Sequence, residues 1–280
     1  MTISTGSAAA TPPVGGKPGS VLSDSLVVTW RNLKRIPRIP ELAIFAVIQS
    51  VMFVVLFAFV FGGAISVGGG GSYREYLMPG IFAQTLTFAC GTTAIGVADD
   101  MTKGLIDRFR SLPMARSAFL TGRTVSDVVY NLGILIVLML SGLVVGWAVR
   151  DGVVRFLAGV ALALLFAYAM SWVGVLLGML VPSVEVGQQV VFTTIFPLTF
   201  LSNAFVPTAT LPSLLQPIAE WNPVSALTAA MRDLWGNPNP FAPNTFPGEH
   251  PVLLTLIYIA VIIAVFAPLS VRRYRTATGR

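Results

Sequence analysis

The chain has 280 residues, of which 55% are hydrophobic and only 11% are charged, and its mean hydropathy is +0.79. Soluble domains carry about 25% charged residues, so this composition excludes a soluble enzyme or binding module and indicates an integral membrane protein. The only cysteine is Cys90 and the only histidine is His250, which excludes an intrachain disulfide and predicts no metal site. The net charge of +6 lies in short clusters beside apolar runs, so it does not predict nucleic-acid binding.

The N-terminal part divides into a polar tail and an amphipathic segment. Residues 1–20 are mostly Thr, Ser, Ala, Gly and Pro, without the apolar core of a signal peptide, and predict a disordered, uncleaved tail. Residues 21–36 place Trp30 and several leucines on one helical face and charges elsewhere. This segment is too short and too charged to span a bilayer, so we predict an interfacial helix in the membrane plane; an ordinary solvated helix is the alternative.

Six apolar segments follow, each long enough for a bilayer core that takes about 20 helical residues. They cover residues 42–61, 77–98, 125–149, 156–181, 186–206 and 252–271. The predicted fold class is therefore an all-α membrane protein with six transmembrane helices. The whole membrane domain covers 21–271, and residues 272–280 form a basic tail.

The Lys and Arg residues predict the orientation. Fourteen of the 18 lie on the side that holds both termini and the loop between spans two and three. The other side has only Arg74, Arg150, Arg155 and Arg232. Because cytoplasmic loops are enriched in Lys and Arg, we expect a multi-pass protein of the cell membrane with both termini in the cytoplasm.

The loop at 99–116 is the one long polar passage between apolar segments. It begins with two carboxylates and reaches Pro113, which predicts a short helix. Leu105, Ile106, Phe109 and Leu112 share one face of that helix, and Lys103, Asp107, Arg108 and Arg110 occupy the others. Such a helix suits contact with another protein or with the lipid surface. The alternative is that its basic residues only set the topology.

Spans two and five are the most polar. Their Gln, Thr, Ser and Asn side chains alternate with Phe82, Phe88, Phe192, Phe196 and Phe200. Uncharged polar groups in a bilayer need partners, so they face either other helices or a pathway for a flat amphipathic molecule. The candidate pathway residues are Phe82, Gln84, Thr85, Phe88, Thr92, Gln189, Thr193, Thr194, Phe196 and Asn203.

Two further patterns concern packing. Glycine pairs at Gly142 and Gly146 and at Gly174 and Gly178 predict close helix approach. Between spans five and six, helical spacing predicts two short, half-buried external helices. Their apolar faces consist of Leu214, Ile218 and Trp221 in the first and Val224, Leu227, Met231 and Leu234 in the second.

No catalytic constellation or energy source is visible in the sequence. Lys17, Lys34 and Lys103 are followed by Pro, Arg and Gly, so a Walker A phosphate loop is excluded, and hydrolase signatures are absent. Every carboxylate lies at or beyond a predicted span end, with Asp127 nearest to a span interior, which argues against a self-sufficient carrier. A transport role therefore requires a partner that supplies the energy.

Four motifs resemble those of the membrane-spanning permeases of type-2 ABC exporters, particularly the daunorubicin-resistance type. They are Phe61-Gly-Gly-Ala-Ile-Ser66, Lys103-Gly-Leu-Ile-Asp-Arg-Phe-Arg-Ser-Leu-Pro113, Phe196-Pro-Leu-Thr-Phe-Leu-Ser-Asn203, and Leu211-Pro with Leu215-Gln-Pro and Asn222-Pro-Val224. The resemblance covers nearly all the chain after the tail. The motif in the central loop is the most specific because both its residues and its place between spans two and three agree.

The resemblance implies a permease subunit of an ATP-driven exporter for a hydrophobic or amphipathic small molecule, such as a drug, antibiotic or lipid. The central loop would be the coupling helix that enters a groove of a separate ABC ATPase, which binds ATP and Mg; this chain would hold no cofactor. Two such permeases, identical or paralogous, would pair, with spans two and five lining a central cavity among membrane lipids. The implied coupling residues are Lys103, Gly104, Ile106, Asp107, Arg108, Phe109, Arg110 and Leu112.

Three alternatives to this function stay open at the level of sequence. Export of a lipid-linked polysaccharide would differ only in the substrate. A self-sufficient secondary carrier would need an ionisable group within the bilayer, and a membrane-embedded enzyme would need a nucleophile or a metal site.

Overall fold

The computed structural model describes residues 25, 29–30, 48–49, 51–57, 59, 72–104, 118–239 and 244–276. Within these ranges the regular structure is entirely helical, which confirms the predicted all-α class for this part of the chain. Residues 51–56 are helical. The other helices are α1 (Tyr73–Thr102), α2 (Ala118–Val145), α3 (Gly152–Leu180), α4 (Val184–Phe200), a 3-10 turn (Thr208–Thr210), α5 (Gln216–Glu220), α6 (Pro223–Trp235), α7 (Phe246–Glu249) and α8 (Pro251–Thr276).

Four described helices are long and apolar enough to cross a membrane, namely α1, α2, α3 and α8. They correspond to the predicted second, third, fourth and sixth spans, although α2 ends at Val145 rather than 149 and α3 ends at Leu180 rather than 181. The predicted fifth span differs, because α4 has 17 residues and ends at Phe200 rather than continuing to 206. The backbone carbonyls of Leu198, in the last turn of α4, and of Leu201, just after it, accept hydrogen bonds from the Asn222 side chain. These bonds replace the backbone hydrogen bonds that a longer helix would make. Half of the first predicted span lies outside the described residues, so the count of six remains a prediction.

α1 and α3 pack closely through one of the predicted glycine pairs. A Cβ at Gly174 would lie 2.3 Å from the Cys90 carbonyl oxygen, and one at Gly178 would lie 2.4 Å from that of Ala94. Any larger residue would push the two backbones apart, so this prediction is confirmed. The Gly142 and Gly146 pair is different. Gly146 has a φ of +99° and follows the end of α2, so it forms a turn and not a helix contact.

The long helices have two distinct ends. The central-loop end contains the last turn of α1 and the first turn of α2, where Arg123 approaches Asp100. The distal end contains the first turn of α1 and the last turn of α2, where Arg74 donates to the Val145 carbonyl at 3.3 Å. α1 and α2 are therefore antiparallel. The described residues of the connection between α4 and α8 lie at the distal end.

Three aromatic rings form the core of the distal end. Phe82, Trp147 and Trp235 meet edge to face, with ring centroids 5.3–5.6 Å apart. The Trp147 indole donates to Asn237 at 2.9 Å, and the Trp235 indole donates to the Phe156 carbonyl at 3.2 Å, so both buried N–H groups are satisfied.

The two predicted short helices after α4 are present as α5 and α6. In α6, Val224, Leu227 and Met231 are fully buried, which confirms the predicted apolar face for these residues. The prediction for the first helix was wrong, because Leu214, Ile218 and Trp221 are exposed rather than half-buried. A five-residue helix buries little beyond Ala219, so these side chains stay on the surface.

Candidate functional site

A cavity of about 420 Å³ lies between α1, α2, α4 and the segment at 48–57. It is open on one side. Among the described residues, no charged side chain contributes to its lining. The lining consists of Gln49, Phe53, Gln84, Thr85, Phe88, Ala89, Gly91, Thr92, Ile95, Tyr130, Asn131, Ile134, Gln188, Val191, Phe192, Phe196 and Phe200.

One wall of the cavity is a row of phenylalanine rings on α4. Phe192, Phe196 and Phe200 recur every fourth residue and therefore share one helix face. Their neighbouring ring centroids are 5.0 and 4.2 Å apart. The row continues beyond α4, because Phe205 stacks between Phe200 and Phe57 at 5.4 and 4.7 Å. Three of these distances lie in the usual range for aromatic pairs and the Phe196–Phe200 pair is closer still, so the rings form one continuous apolar surface.

A second face of α4 attaches the helix to α1. Gly187, Val191, Ile195 and Thr199 are buried and also recur every fourth residue. A Cβ at Gly91 of α1 would lie 2.6 Å from a methyl group of Val191, so a glycine at this position allows the close contact. This packing leaves the phenylalanine row unburied. Phe192 is 54% exposed.

The other walls carry uncharged polar side chains from α1 and α2. Gln84, Thr85 and Thr92 belong to α1, and Tyr130 and Asn131 belong to α2. Gln84 and Asn131 are only 7% and 4% exposed, although polar side chains at this depth normally have a hydrogen-bond partner. The cavity therefore combines aromatic stacking surface with a few neutral hydrogen-bonding groups, which is typical of sites for small amphipathic molecules.

The structure brings five of the ten predicted pathway residues to the cavity, namely Gln84, Thr85, Phe88, Thr92 and Phe196. The other five lie elsewhere. Phe82 is in the aromatic core, Asn203 is at the distal end beyond α4, and Gln189, Thr193 and Thr194 are exposed on α4 outside the lining.

Twelve of the 17 lining residues were missing from the sequence-based candidates. Those with a polar or aromatic side chain outside spans two and five are Gln49, Phe53, Tyr130 and Asn131. Asn131 had a usable signal, because an amide within the apolar run of span three requires a partner or a pathway. Gln49 had the same signal, as an amide within the first apolar run, whereas nothing in the sequence distinguished Phe53.

At the distal end, Arg232 fixes the chain just beyond α4. Its side chain is completely buried, and its guanidinium lies 3.6 Å from the centre of the Tyr76 ring. It donates to the carbonyls of Tyr76, Asn203 and Ala204 at 2.9, 3.0 and 3.4 Å. Burial lowers the pKa of Arg232, whereas its interaction with Tyr76 raises it. Arginine is basic enough to keep its charge here.

Asn222 supports the same segment. Its amide group donates to the carbonyls of Leu198 and Leu201 at 2.7 and 2.8 Å, and its side-chain oxygen accepts from the Val224 N–H at 2.8 Å. One side chain thus caps the end of α4 and the start of α6, whose first residue is Pro223. From the sequence, Asn222 was identified only as part of a motif and Arg232 only as a topology charge.

At the central-loop end, a charged cluster joins α1 to α2. Arg123 lies 3.4 Å from the Asp100 carboxylate and 3.5 Å from that of Asp127, and Thr93 donates to Asp127 at 2.7 Å. Because α2 begins at Ala118 and not at 125, Asp127 lies deeper in its helix than the sequence suggested. Arg123 and Thr93 provide the partners that this carboxylate needs.

Only the beginning of the central loop is described. Lys103 pairs with Asp99 at 2.7 Å, and Gly104 has a φ of +64°. The remaining predicted coupling residues, Ile106, Asp107, Arg108, Phe109, Arg110 and Leu112, lie outside the described residues. So does most of the predicted interfacial helix, although Ser25 and Thr29 are helical and hydrogen-bond to Thr121 and Gly122 of α2.

The sequence model for ABC-2 type transporters matches residues 24–234, which include the whole cavity lining. The chain belongs to the ABC-2 type transporter family. A daunorubicin resistance ABC transporter permease protein of Streptomyces coeruleorubidus is 29% identical, with 98% of each chain covered. A probable doxorubicin resistance ABC transporter permease protein of Mycobacterium tuberculosis is 25% identical over 92% of this chain and 90% of the relative.

These relatives are permease subunits, so membership in the ABC-2 type transporter family agrees with the resemblance found in the motifs. The four long apolar helices make this chain a multi-pass membrane protein. Within the described ranges, no group of three or more His, Cys, Asp or Glu side chains lies together as a possible metal site.

Proposed function

We propose that this chain is the permease subunit of an ATP-driven exporter that moves a hydrophobic or amphipathic small molecule out across the cell membrane. The observation that carries the proposal is the cavity, in which aromatic rings and neutral polar groups form the walls. Such a lining suits a drug, antibiotic or lipid better than a strongly charged solute. The names of the relatives support the same substrate class.

The membrane domain of the proposed subunit covers residues 21–271 and contains six spans, with the tails 1–20 and 272–280 in the cytoplasm. The distribution of Lys and Arg supports this orientation. The central-loop end then faces the cytoplasm and the distal end faces outward. α8 continues to Thr276 and buries Tyr274, so the helix of the last span extends about one turn into the basic tail.

The energy comes from a separate ABC ATPase subunit that binds ATP and Mg and contacts the central loop. We propose that Lys103 to Leu112 form the coupling helix, with Ile106, Phe109 and Leu112 as the main contact, because apolar burial contributes more than exposed charge pairs. The position of the loop supports this role. It joins α1 to α2, the two helices that carry the charged cluster and the polar cavity walls.

The substrate path includes Gln84, Thr85, Phe88, Thr92 and Phe196, together with the other lining residues. The open side of the cavity supports pairing with a second permease, either identical or paralogous. Gln189, Thr193 and Thr194 are exposed on α4 beside that opening, and we propose that they face the second subunit. Phe82 and Asn203 then support the site without touching the substrate.

The proposal is tested by ATP-driven uptake of doxorubicin into inside-out vesicles that contain the permease and its ATPase. Phe196→Ala should reduce uptake about tenfold at equal membrane abundance, because it removes a stacking surface worth about 1.4 kcal/mol. Phe246→Ala is the matched control. Phe246 is 41% exposed and Phe196 is 38% exposed, but only Phe196 lines the cavity.

Equal uptake by the two variants would contradict the assignment of the cavity. Uptake that persists without the ATPase and follows an ion gradient would indicate a secondary carrier. If doxorubicin is never transported but a lipid-linked oligosaccharide is, the substrate belongs to the polysaccharide class and the exporter assignment remains.

A further inference from the structure

Gln84 and Asn131 are two buried amides that have no hydrogen-bond partner within the described part of the chain. They come from different helices, α1 and α2, and both line the same cavity. Both side chains are more than nine-tenths buried. An amide that is removed from water without a partner is destabilising, so two such groups facing one space require an explanation.

The two amides differ from the sealed polar atoms of the structure. In the described ranges, Trp172, Asn203 and Arg232 each have a side-chain nitrogen or oxygen that lacks a hydrogen-bond partner and is completely enclosed by the protein. Gln84 and Asn131 are not among these atoms, so their polar groups open onto the cavity. They are available to a molecule that occupies it.

We propose that Asn131 and Gln84 form a neutral hydrogen-bonding subsite that recognises the uncharged polar edge of a flat ligand, such as a hydroxyl, ketone or amide group. This inference rests on the proposed function. A carboxamide offers both donors and an acceptor but cannot balance a net charge. Because no charged side chain lines the cavity within the described residues, an ionised group at this edge would remain unpaired.

The helix register gives the spacing of the two contacts. Thr93 of α1 and Asp127 of α2 are joined by a hydrogen bond, which sets these two positions at one level. Gln84 precedes Thr93 by nine residues and Asn131 follows Asp127 by four. At a rise of 1.5 Å per residue, the two amides are therefore about 7 Å apart along the antiparallel helices. This separation matches the width of a few fused rings, whose faces can stack on the phenylalanine row.

The proposed subsite makes a residue of α2 one of those that determine which ligands bind. The phenylalanine row offers stacking area to any flat apolar molecule and discriminates weakly between such molecules. The amides discriminate strongly, because a ligand that lacks matching groups leaves them unpaired. Asn131 is thus a specificity-determining residue, and its effect should depend on the ligand rather than on the stability of the protein.

The experiment compares two fluorescent probes with the full-length permease in lipid nanodiscs, without ATP. One probe is an anthracene with a hydroxymethyl group at each end of its central ring, and the other is the diethyl analogue of the same shape. The wild type should bind the diol about tenfold more tightly than the diethyl compound. Asn131→Leu, which keeps the branched shape of the side chain, should reduce this preference about fivefold without weakening the binding of the diethyl compound.

Two further variants control for misfolding. Asn131→Ser retains a hydroxyl and should keep part of the preference for the diol. Asn244→Leu makes the same chemical change on the exposed distal surface and should leave the preference unchanged. Retention of the full preference in a folded Asn131→Leu protein, or its absence in the wild type, would overturn the inference.

The outcomes separate this inference from the proposed function. If both probes bind equally and ATP-driven doxorubicin uptake persists, the subsite is wrong and the exporter assignment stands. If neither probe binds the wild type, both the subsite and the cavity as substrate path are wrong. A preference that falls with Asn131→Leu or with Gln84→Met, but not with Asn244→Leu, supports the subsite.

Discussion

Arg232 and Arg123 are both largely removed from water, but at opposite ends of the helices and with different kinds of partner. Arg232 binds three backbone carbonyls and a tyrosine ring, and in the described residues it has no carboxylate partner. Arg123 instead lies between the carboxylates of Asp100 and Asp127. The contacts of Arg232 are therefore made with backbone atoms and a ring, whereas those of Arg123 are made with carboxylate side chains.

The two kinds of partner should differ in how easily they rearrange when the helices move. Backbone carbonyls just beyond the end of α4 are fixed in place by the chain, and the negative end of a helix dipole favours a cation there. Side-chain ion pairs at 3.4 and 3.5 Å are looser and can be exchanged when α1 and α2 shift. We therefore expect the contacts of Arg123, at the end next to the proposed coupling helix, to rearrange more readily than those of Arg232. Three substitutions test this contrast.

Arg232→Leu should have the largest effect. The carbonyls of Tyr76, Asn203 and Ala204 would lose a buried donor, so we expect a loss of about 3 kcal/mol or more in stability. Thermal unfolding in detergent measures it. Arg155→Leu is the control, because Arg155 is exposed and pairs only with Asp151 on the surface. Similar melting temperatures for the two variants would refute the role of Arg232.

Arg123→Met should have an intermediate effect, about 2 kcal/mol, because Asp127 would keep the hydrogen bond from Thr93 but lose its ion pair. Unlike the Arg232 defect, this one should be partly repaired by a second substitution. Asp127→Asn removes the charge that Arg123 balances, so the double variant should melt at a higher temperature than Arg123→Met alone. A strictly additive double variant would show that the two side chains are not coupled.

Gly96→Ala should have the smallest effect and reports on the space that Arg123 occupies. A Cβ at Gly96 would lie 1.9 Å from the guanidinium of Arg123, whereas one at Gly133 would meet nothing within 4 Å. Alanine favours a helix over glycine by about 1 kcal/mol, so Gly133→Ala should be neutral or stabilising. Gly96→Ala should be less stable than Gly133→Ala by about 1 kcal/mol in the same unfolding assay. Equal stability would mean that Arg123 moves aside freely.

Composition and hydropathy alone were enough to establish a multi-pass helical membrane protein. Apolar runs such as 156–181 must be helical in a bilayer, because no water is present to bind their backbone groups. The polar character of spans two and five also pointed to the cavity. This pattern identified Gln84 and Phe196, because an uncharged polar or aromatic face in a span has to meet a partner or a pathway.

Tertiary packing decided everything that depends on which side of a helix faces which neighbour. Gln189 and Gln188 are adjacent in sequence and equally polar, but only Gln188 lines the cavity, because α4 attaches to α1 through the face that contains Val191. In the sequence, Arg232 cannot be distinguished from a surface charge. In the folded chain it binds the carbonyl of Tyr76 and those of Asn203 and Ala204, which come from two distant segments. Local sequence determines the helices, but contacts between residues as far apart as Tyr76 and Arg232 exist only once those helices have packed.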